Sequence, residues 1–352
     1  MQAWILTHPQ KLNQAGSHPT GSPDGAAPLQ LAPLQLMEVP TPQPGAGEVL
    51  VRVRACGICR TDLHVVEGEL PVRRPRITPG HQIVGEIVGD GGGQRVGVAW
   101  LHHTDGTCGF CRSGRENLCD HAEFTGWTVP GGFAEYVVAA RDFVYPLPEA
   151  LSDAQAAPLL CAGIIGYRCL RLCGLGAPEG GRWAGARLGI YGFGAAGHIA
   201  LQMARARGAE VYVCTRDHDR HQRLAQELGA AWVGGAAARP PVRLDAAVMF
   251  APAGELVPAA LQALDKGGVL VLGGIHMSPI PQLQYAWIYG ERVICSVANN
   301  TRADGREFLD EASRIGVQTR VTEFSFGQLP EALRQLKYDG FAGAGVLMVS
   351  PT

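Results

Sequence analysis

The sequence predicts an α/β protein of two domains: a mostly β, loop-rich, barrel-like domain followed by a doubly wound parallel sheet. Three observations carry this prediction. Up to about residue 150, short runs alternate apolar and polar side chains with period two and are separated by glycine clusters. Further on, short unbroken apolar runs alternate with helical stretches, as in parallel strands covered on both faces. A chain of 352 residues is also long enough for about two domains of roughly 150 residues.

Taken in order, residues 8–45 are rich in Pro, Gly, Ser and Gln, carry a tandem APLQL at 27–36, and read as an extended loop with an edge strand. Val49, Val51, Val53 and Ala55 then alternate with Glu48, Leu50, Arg52 and Arg54, which is a strand with one apolar face. Strand-like runs follow at 83–88, 95–100 and 134–139, with glycines at 91–93 and 131–132 between them. Ser152 caps a helical stretch that Pro158 must interrupt, and a Gly/Pro-rich connector covers 174–185. Strands are expected at 188–191, 210–215, 246–250 and 268–272, and helices at 197–207, 219–228 and 257–264. A helix at 302–314 and a strand at 345–349 are expected to return to the first domain. The expected domains are therefore 1–155 with 290–352, and 156–289.

Thirty basic against thirty-two acidic residues leave a net charge of −2, so neither a nucleic-acid surface nor an anionic-membrane surface has an electrostatic source. No apolar run approaches the ~18 residues of a membrane span. The start MQAWILTHPQ lacks the basic and apolar regions of a secretory signal, so a cytoplasmic protein is expected. Ten cysteines in a reducing compartment then read as metal ligands or thiol chemistry rather than disulfides.

A dinucleotide site is predicted at Gly192, Gly194 and Gly197, a GxGxxG between an expected strand and an expected helix. Gly192 permits the tight turn, Gly194 lets backbone approach a pyrophosphate, and Gly197 lets helix pack on strand. The next strand ends Val213-Cys214-Thr215-Arg216-Asp217. Thr215 stands where an NAD site usually carries a carboxylate for the ribose 2′-OH. A hydroxyl and the Arg216 guanidinium suit a 2′-phosphate, so NADP is favoured over NAD. The alternative has Arg216 in solvent and Asp217 reaching back to the ribose.

Cys56-Gly57-Ile58-Cys59-Arg60-Thr61-Asp62-Leu63-His64 follows a strand, Pro79-Gly80-His81-Gln82 comes next, and Cys161 lies in the helical region. With the GxGxxG unit, these motifs resemble the zinc-dependent alcohol dehydrogenases of the medium-chain dehydrogenase/reductase family, over nearly the whole chain from Glu48. The resemblance implies a GroES-like catalytic domain and a Rossmann coenzyme domain. It implies hydride transfer between an alcohol or aldehyde and a nicotinamide cofactor, and two zinc ions per chain. The catalytic zinc falls to Cys59, His81 and Cys161; Cys59 is chosen over Cys56 because the family's ligand immediately precedes an Arg/His-Ser/Thr pair. Two thiolates and an imidazole leave one tetrahedral position open. Asp62 is implied as acceptor of the His81 ring N–H, Thr61 and His64 as the proton relay, and Arg60 as a pyrophosphate contact.

The resemblance also implies a structural zinc lobe at 102–122. Here it reads D-x2-C-x2-C-x7-C through Asp105, Cys108, Cys111 and Cys119, with aspartate at the family's first cysteine. A carboxylate is a competent zinc ligand at about 2.0–2.2 Å; the alternative is a lobe that has lost its metal. Gln82 stands where the family carries glutamate. Trp100, with Leu70 and Trp127, is the expected substrate wall. His102, His103 and His121 are expected to be exposed, and Cys56, Cys169, Cys173, Cys214 and Cys295 to be unligated. A homodimer or homotetramer through an edge strand at 269–272 and 285–298 is family analogy. Two competing readings stay open: a quinone or enoyl reductase with vestigial zinc, which the intact Cys59, His81 and Cys161 argue against, and a zinc-holding or thiol-sensing protein with a purely structural GxGxxG.

Overall fold

The computed structural model describes residues 1–12, 33–89 and 92–349. Most of the APLQL tandem lies outside the described residues; its end enters strand β2 (Leu34–Glu38), which pairs antiparallel with β1 (Gln2–Leu6). The long β3 (Glu48–Ile58) is the spine of the first sheet. Its first half alternates in burial as the period-two pattern requires, while Ala55–Ile58 are all buried. It pairs antiparallel with β4 (Gln82–Val88), which continues to β5 (Arg95–Val98). A small hairpin, β6 (Leu101–His103) with β7 (Glu123–Phe124), stands apart. Strand β8 (Tyr136–Ala140) returns to β3, and β9 (Val144–Pro146) pairs with β5. Inward-facing Val51, Val53, Ile83, Ile87, Val96, Val98 and Val137 close around buried Phe133.

Six strands form the second sheet: β10 (Arg187–Tyr191), β11 (Glu210–Cys214), β12 (Trp232–Gly234), β13 (Leu244–Met249), β14 (Leu264–Leu272) and β15 (Val293–Ser296). All are parallel, in the order β12-β11-β10-β13-β14-β15. This is the doubly wound order 3-2-1-4-5-6, whose direction reverses at β10, where such sheets bind their ligands. Leu188, Ile190, Val213 and Val248 are fully buried because helices cover both faces. The chain then re-enters the first sheet: β16 (Val321–Ser325) pairs parallel with β17 (Ala344–Met348), and β17 pairs antiparallel with β3.

The helices are α1 (Arg60–Glu67), α2 (Gly109–Arg112), α3 (Asp153–Ala156), α4 (Ala162–Leu172), α5 (Ala195–Ala206), α6 (Arg223–Glu227), α7 (Val257–Ala263), α8 (Tyr285–Ile288), α9 (Arg302–Ile315) and α10 (Leu329–Lys337). Ser152 caps α3, and Pro158 sits in a 3-10 turn, Ala157–Leu160, that separates α3 from α4. Thr301 and Asp304 form a reciprocal capping box at the start of α9.

Three expectations shift, and one strand was not expected. The run 269–272 is not an edge: β14 lies between β13 and β15, with Leu270 and Val271 fully buried. The exposed edge on that side is β15, where Val293 is 48% exposed. The return to the first sheet also comes later than 290, because β15 still belongs to the parallel sheet. The expected helix at 219–228 is a π-turn, His218–Gln222, running into the shorter α6. Strand β12 is only three half-buried residues and has no pattern to find.

His198 joins the two parts of the chain. It is fully buried on α5; Nδ1 donates to the Gly194 carbonyl (3.1 Å) and Nε2 accepts the Arg320 N–H (3.2 Å). That pattern needs a neutral ring, and burial, only partly offset by backbone contacts at Gly194 and Ala195, lowers its pKa to about 4. An unfolded histidine titrates near ~6.5, so between these values the unfolded chain binds the extra proton. The contribution is complete above ~6.5 and is lost as pH falls toward the folded value, at up to about 1.4 kcal/mol per pH unit. In urea unfolding between pH 7 and pH 5, His198→Gln should flatten the loss of stability seen in the wild type. Parallel pH dependences in the two proteins would remove His198 from the account.

Candidate active site and metal centres

Three turns bring the first cluster together. Strand β3 ends at Ile58, and Cys59 becomes the N-cap of α1, where a helix N-terminus favours a thiolate. His81 sits just before β4, on a turn made by Gly80 at φ +95°. A Cβ on Gly80 would strike Phe133, and one on Gly131 would lie 2.1 Å from the Gly80 carbonyl oxygen, so backbone packs directly on backbone here. Cys161 is the N-cap of α4.

The Cys59 and Cys161 sulfurs are 4.0 Å apart, and His81 Nε2 is 3.3 Å from Cys161 Sγ. Tetrahedral zinc, with Zn–S of about 2.3 Å and Zn–N of about 2.0–2.1 Å, wants separations of about 3.8 and about 3.5 Å. The donor set therefore fits that ion. Cys56, fully buried, lies outside the group, its thiol pushed up by burial.

Asp62 organises the cluster. Oδ2 accepts the Cys59 N–H (2.8 Å); Oδ1 accepts the Gly80 N–H (3.2 Å) and the His81 Nδ1–H (3.0 Å). The carboxylate is 1% exposed. Its hold on Nδ1 turns Nε2 toward the sulfurs. Burial disfavours a charged His81 ring, but Asp62 and the Cys59 sulfur outweigh it and push the ring up to about 10. Hydrogen bonding with Cys161 holds the Cys59 thiol well below its ordinary value, and the same contact pushes Cys161 up. A divalent cation suits this set, since it favours two thiolates and a neutral imidazole. Beside it, the buried Gln82 amide packs on Gly57, and its Oε1 has no partner among the described residues.

Trp100 meets the His81 ring edge-on at 4.9 Å between centroids and stacks on Phe124 (5.3 Å) and Trp127 (5.9 Å). The wall thus includes Phe124, which sequence reasoning missed. Leu70 and Trp127 also line a small pocket with Pro71 and Arg73.

Thr61 Oγ1 lies 3.6 Å from Cys59 Sγ. His64, buried on α1, bonds through Nδ1 to Glu69 Oε2 (2.5 Å), and His276, beyond β14, approaches its ring at 5.2 Å. Glu69 and His276 carry no sequence motif and were not foreseen. The His64 hydrogen bond, against a desolvation cost, holds the Glu69 carboxyl below its usual value.

The glycine turn leads from β10 into α5. Gly192 has φ +88°, and a Cβ there would lie 2.6 Å from the Ala251 nitrogen; one on Gly197 would lie 2.8 Å from the Gly192 carbonyl oxygen. At Gly194 a Cβ would meet nothing within 4 Å, which leaves an open cradle at the helix N-terminus. Gly166, one turn into α4, packs on Ala196 and Ala200 of α5. The helix headed by Cys161 and the helix headed by the glycine turn therefore start side by side. At the end of β11, Thr215 is buried and Arg216 is 74% exposed and ion-paired with Asp339 (2.8 Å). Asp217 instead accepts the Arg220 N–H (3.0 Å), capping the π-turn, and that bond keeps its carboxyl below the usual range.

Asp105, Cys108, Cys111 and Cys119 form the second cluster, their ligand atoms all within 4.8 Å of one another. Asp105 Oδ1 accepts the Cys108 (2.9 Å) and Thr107 (2.8 Å) N–H groups, which hold its carboxyl far down. Cys111 is pushed up to about 11, by desolvation first and, against a Thr104 hydrogen bond, by Cys108, Asp105 and Cys119. Four crowded acceptors of this kind fit a zinc ion. Arg302 anchors the lobe to α9 with a bidentate grip on Glu116 (3.0 and 2.7 Å), and Asn117 donates to the Ala298 carbonyl (2.7 Å). His103 and His121 are exposed, but His102, expected in solvent, faces inward on β6, and burial lowers its pKa.

A nicotinamide-type fold joined to a thiolate–imidazole metal set defines a zinc-dependent dehydrogenase. Residues 45–149 match the alcohol dehydrogenase GroES-like domain family, and residues 195–314 match the zinc-binding dehydrogenase family. The chain is 48% identical over 335 residues to a Mycobacterium tuberculosis (strain CDC 1551 / Oshkosh) protein named "Probable alcohol dehydrogenase AdhA", covering 92% of this chain and 94% of that one. Among solved structures it resembles a cinnamyl alcohol dehydrogenase of Sorghum bicolor (TM-score 0.81, 27% identity, 99% and 97% coverage). It also resembles an acetophenone reductase of Geotrichum candidum in complex with NAD (TM-score 0.79, 25% identity, 98% of each chain). The chain belongs to the zinc-dependent alcohol dehydrogenases of the medium-chain dehydrogenase/reductase family. It is an oxidoreductase that interconverts an alcohol and its carbonyl compound with a nicotinamide coenzyme.

Asp62→Asn keeps the shape but removes the charge that steadies His81. It should weaken zinc at Cys59, His81 and Cys161 by about 10–100-fold in competition with a chromogenic chelator. Zinc loaded onto the cluster around Asp105 should be unaffected and serves as the internal reference; equal loss at both sites, or none at the first, would show that Asp62 does not support the first.

Proposed function

We propose that this dehydrogenase carries two zinc ions per chain, the first on Cys59, His81 and Cys161 and the second on Asp105, Cys108, Cys111 and Cys119, and that it prefers NADP. The observation that carries the reading is the meeting of two sulfurs and one imidazole at tetrahedral spacing, beside a helix that starts next to the glycine turn. When bound, zinc supplies Lewis acidity toward the substrate oxygen, and the nicotinamide gives or takes the hydride. The chain's own residues do the rest. Trp100, Phe124 and Trp127 form a flat apolar side that keeps out water and suits an aliphatic or aromatic alcohol or aldehyde. Thr61 would accept the proton of the alcohol hydroxyl as it gives up its own toward His64; His64 would take that proton on Nε2 and release the one on Nδ1 to Glu69, which, exposed at the surface, passes it to solvent. Backbone N–H groups at Gly194 and the guanidinium of Arg60 face the pyrophosphate, while Thr215 and Arg216 face the ribose 2′-phosphate.

We assign 1–155 with the C-terminal strands to the catalytic domain and the parallel sheet to the coenzyme domain. Exposed Tyr285, Tyr289 and Val293 beside the free edge of β15 support a homodimer or homotetramer built across that edge. Ten free cysteines suit a reducing cytoplasm, and among the described residues no helix is long and apolar enough to cross a membrane. The near-even charge favours small-molecule partners over nucleic acid or lipid.

NADPH should give a higher kcat/KM than NADH across a panel of aldehydes, and Arg216→Asp should reverse that order. A wild-type preference for NADH would return the ribose contact to Asp217.

For the proton path, His64→Ala should lower kcat by roughly 10- to 100-fold and Glu69→Gln by roughly tenfold, with KM little changed. Added imidazole should restore much of the His64→Ala loss. Unchanged kcat in both variants would send the proton out by another route.

A further inference from the structure

Asp339 stands among the arginines just assigned to the coenzyme. It ends the turn after α10, where Gly340 N–H reaches back to the Gln335 carbonyl (2.7 Å). Its φ is +53°, a left-handed conformation usually left to glycine at this point of a helix terminus. Oδ1 accepts from Arg60 Nη2 (3.1 Å), Oδ2 accepts from Arg216 Nη2 (2.8 Å), and the Asp339 carbonyl accepts from Arg220 Nη1. Arg60 opens α1 beside the first metal cluster. Arg216 and Arg220 follow β11 in the parallel sheet. One carboxylate, in a strained backbone position, therefore ties together cations from both sheets.

The ties are exchangeable. The Arg60, Arg216 and Asp339 side chains are 40%, 74% and 35% exposed, so solvent screens each pair. A phosphate oxyanion offers the same guanidinium groups a closer match in charge and geometry than a single carboxylate. Asp217 already holds Arg220 Nε (3.3 Å), which leaves Arg216 and Arg60 as the cations that Asp339 alone neutralises among the described contacts.

We propose that Asp339 is a built-in anion that occupies the phosphate-binding arginines in the coenzyme-free protein and is displaced by the coenzyme's phosphates. It acts as a latch between the two sheets and as a competitor that sets coenzyme affinity. The inference rests on the reading of Arg60 and Arg216 as phosphate contacts.

Asp339→Asn tests it, because asparagine tolerates the left-handed backbone and keeps the side-chain shape. Wild type and variant are titrated calorimetrically with adenosine 2′-monophosphate, which probes Arg216, and with ADP, which probes Arg60. The variant should bind both about three- to tenfold more tightly at low salt, and the gain should shrink at high salt. Unchanged or weaker binding of both probes, with adenosine 2′-monophosphate bound by the wild type, overturns the latch and leaves the NADP reading standing. Gain with ADP alone, and no binding of the 2′-phosphate by either protein, supports the latch through Arg60 and overturns the NADP reading. A lower melting temperature with identical affinities would mark Asp339 as a structural turn residue and sink the proposal. Asp339→Gly, which removes the backbone strain as well, should match Asp339→Asn in affinity if charge is what competes.

Discussion

One buried carboxylate holds the catalytic region together. Asp62 is almost wholly out of water, yet it accepts three N–H groups, from Cys59, Gly80 and the His81 ring. Those groups belong to the start of α1 and to the turn before β4. A buried charge is costly unless every lone pair is used, and here the hydrogen bonds that satisfy the charge also set the position of Cys59 and His81. Cys161 meets them from the head of α4, whose neighbour α5 carries the glycine turn. This cluster is thus one of the places where the two parts of the chain meet.

The two cysteine clusters show different physics. At Cys59, His81 and Cys161 the protein supplies three donors and a buried charge behind them, a set that would leave a tetrahedral ion one open position. At Asp105, Cys108, Cys111 and Cys119 it supplies four donors, which close the coordination. The aspartate there does double work in the fold, since its Oδ1 also caps two backbone N–H groups of the loop. A cysteine could supply the metal bond but would cap less well.

Much of this was legible in the sequence because it is written in local signals. The alternation from Glu48 to Ala55, the GxGxxG spacing, and the Cys59 and His81 motifs each depend on a few adjacent residues. What escaped is long-range. Phe124 joins the aromatic wall only because a two-residue strand turns it onto Trp100. Glu69 and His276 are ordinary surface types until folding sets them beside His64. The edge expected at 269–272 rests on family analogy, and no local signal could test it, because strand order across a sheet is set by pairing: β14 pairs with both β13 and β15. The burial of His102 carries no local signal, because β6 is too short to show alternation.

The seat of His81 has a consequence for how such a protein can change. Gly80 and Gly131 touch through bare backbone, and a Cβ on Gly80 would also strike the buried Phe133 ring, so neither glycine can take a side chain without moving the turn that carries His81. Mutation can repaint the aromatic stack at Trp100, Phe124 or Trp127, but the two glycines beside His81 leave no room for a side chain. Change around His81 is therefore channelled to its aromatic neighbours, while the glycine turn is held by close packing.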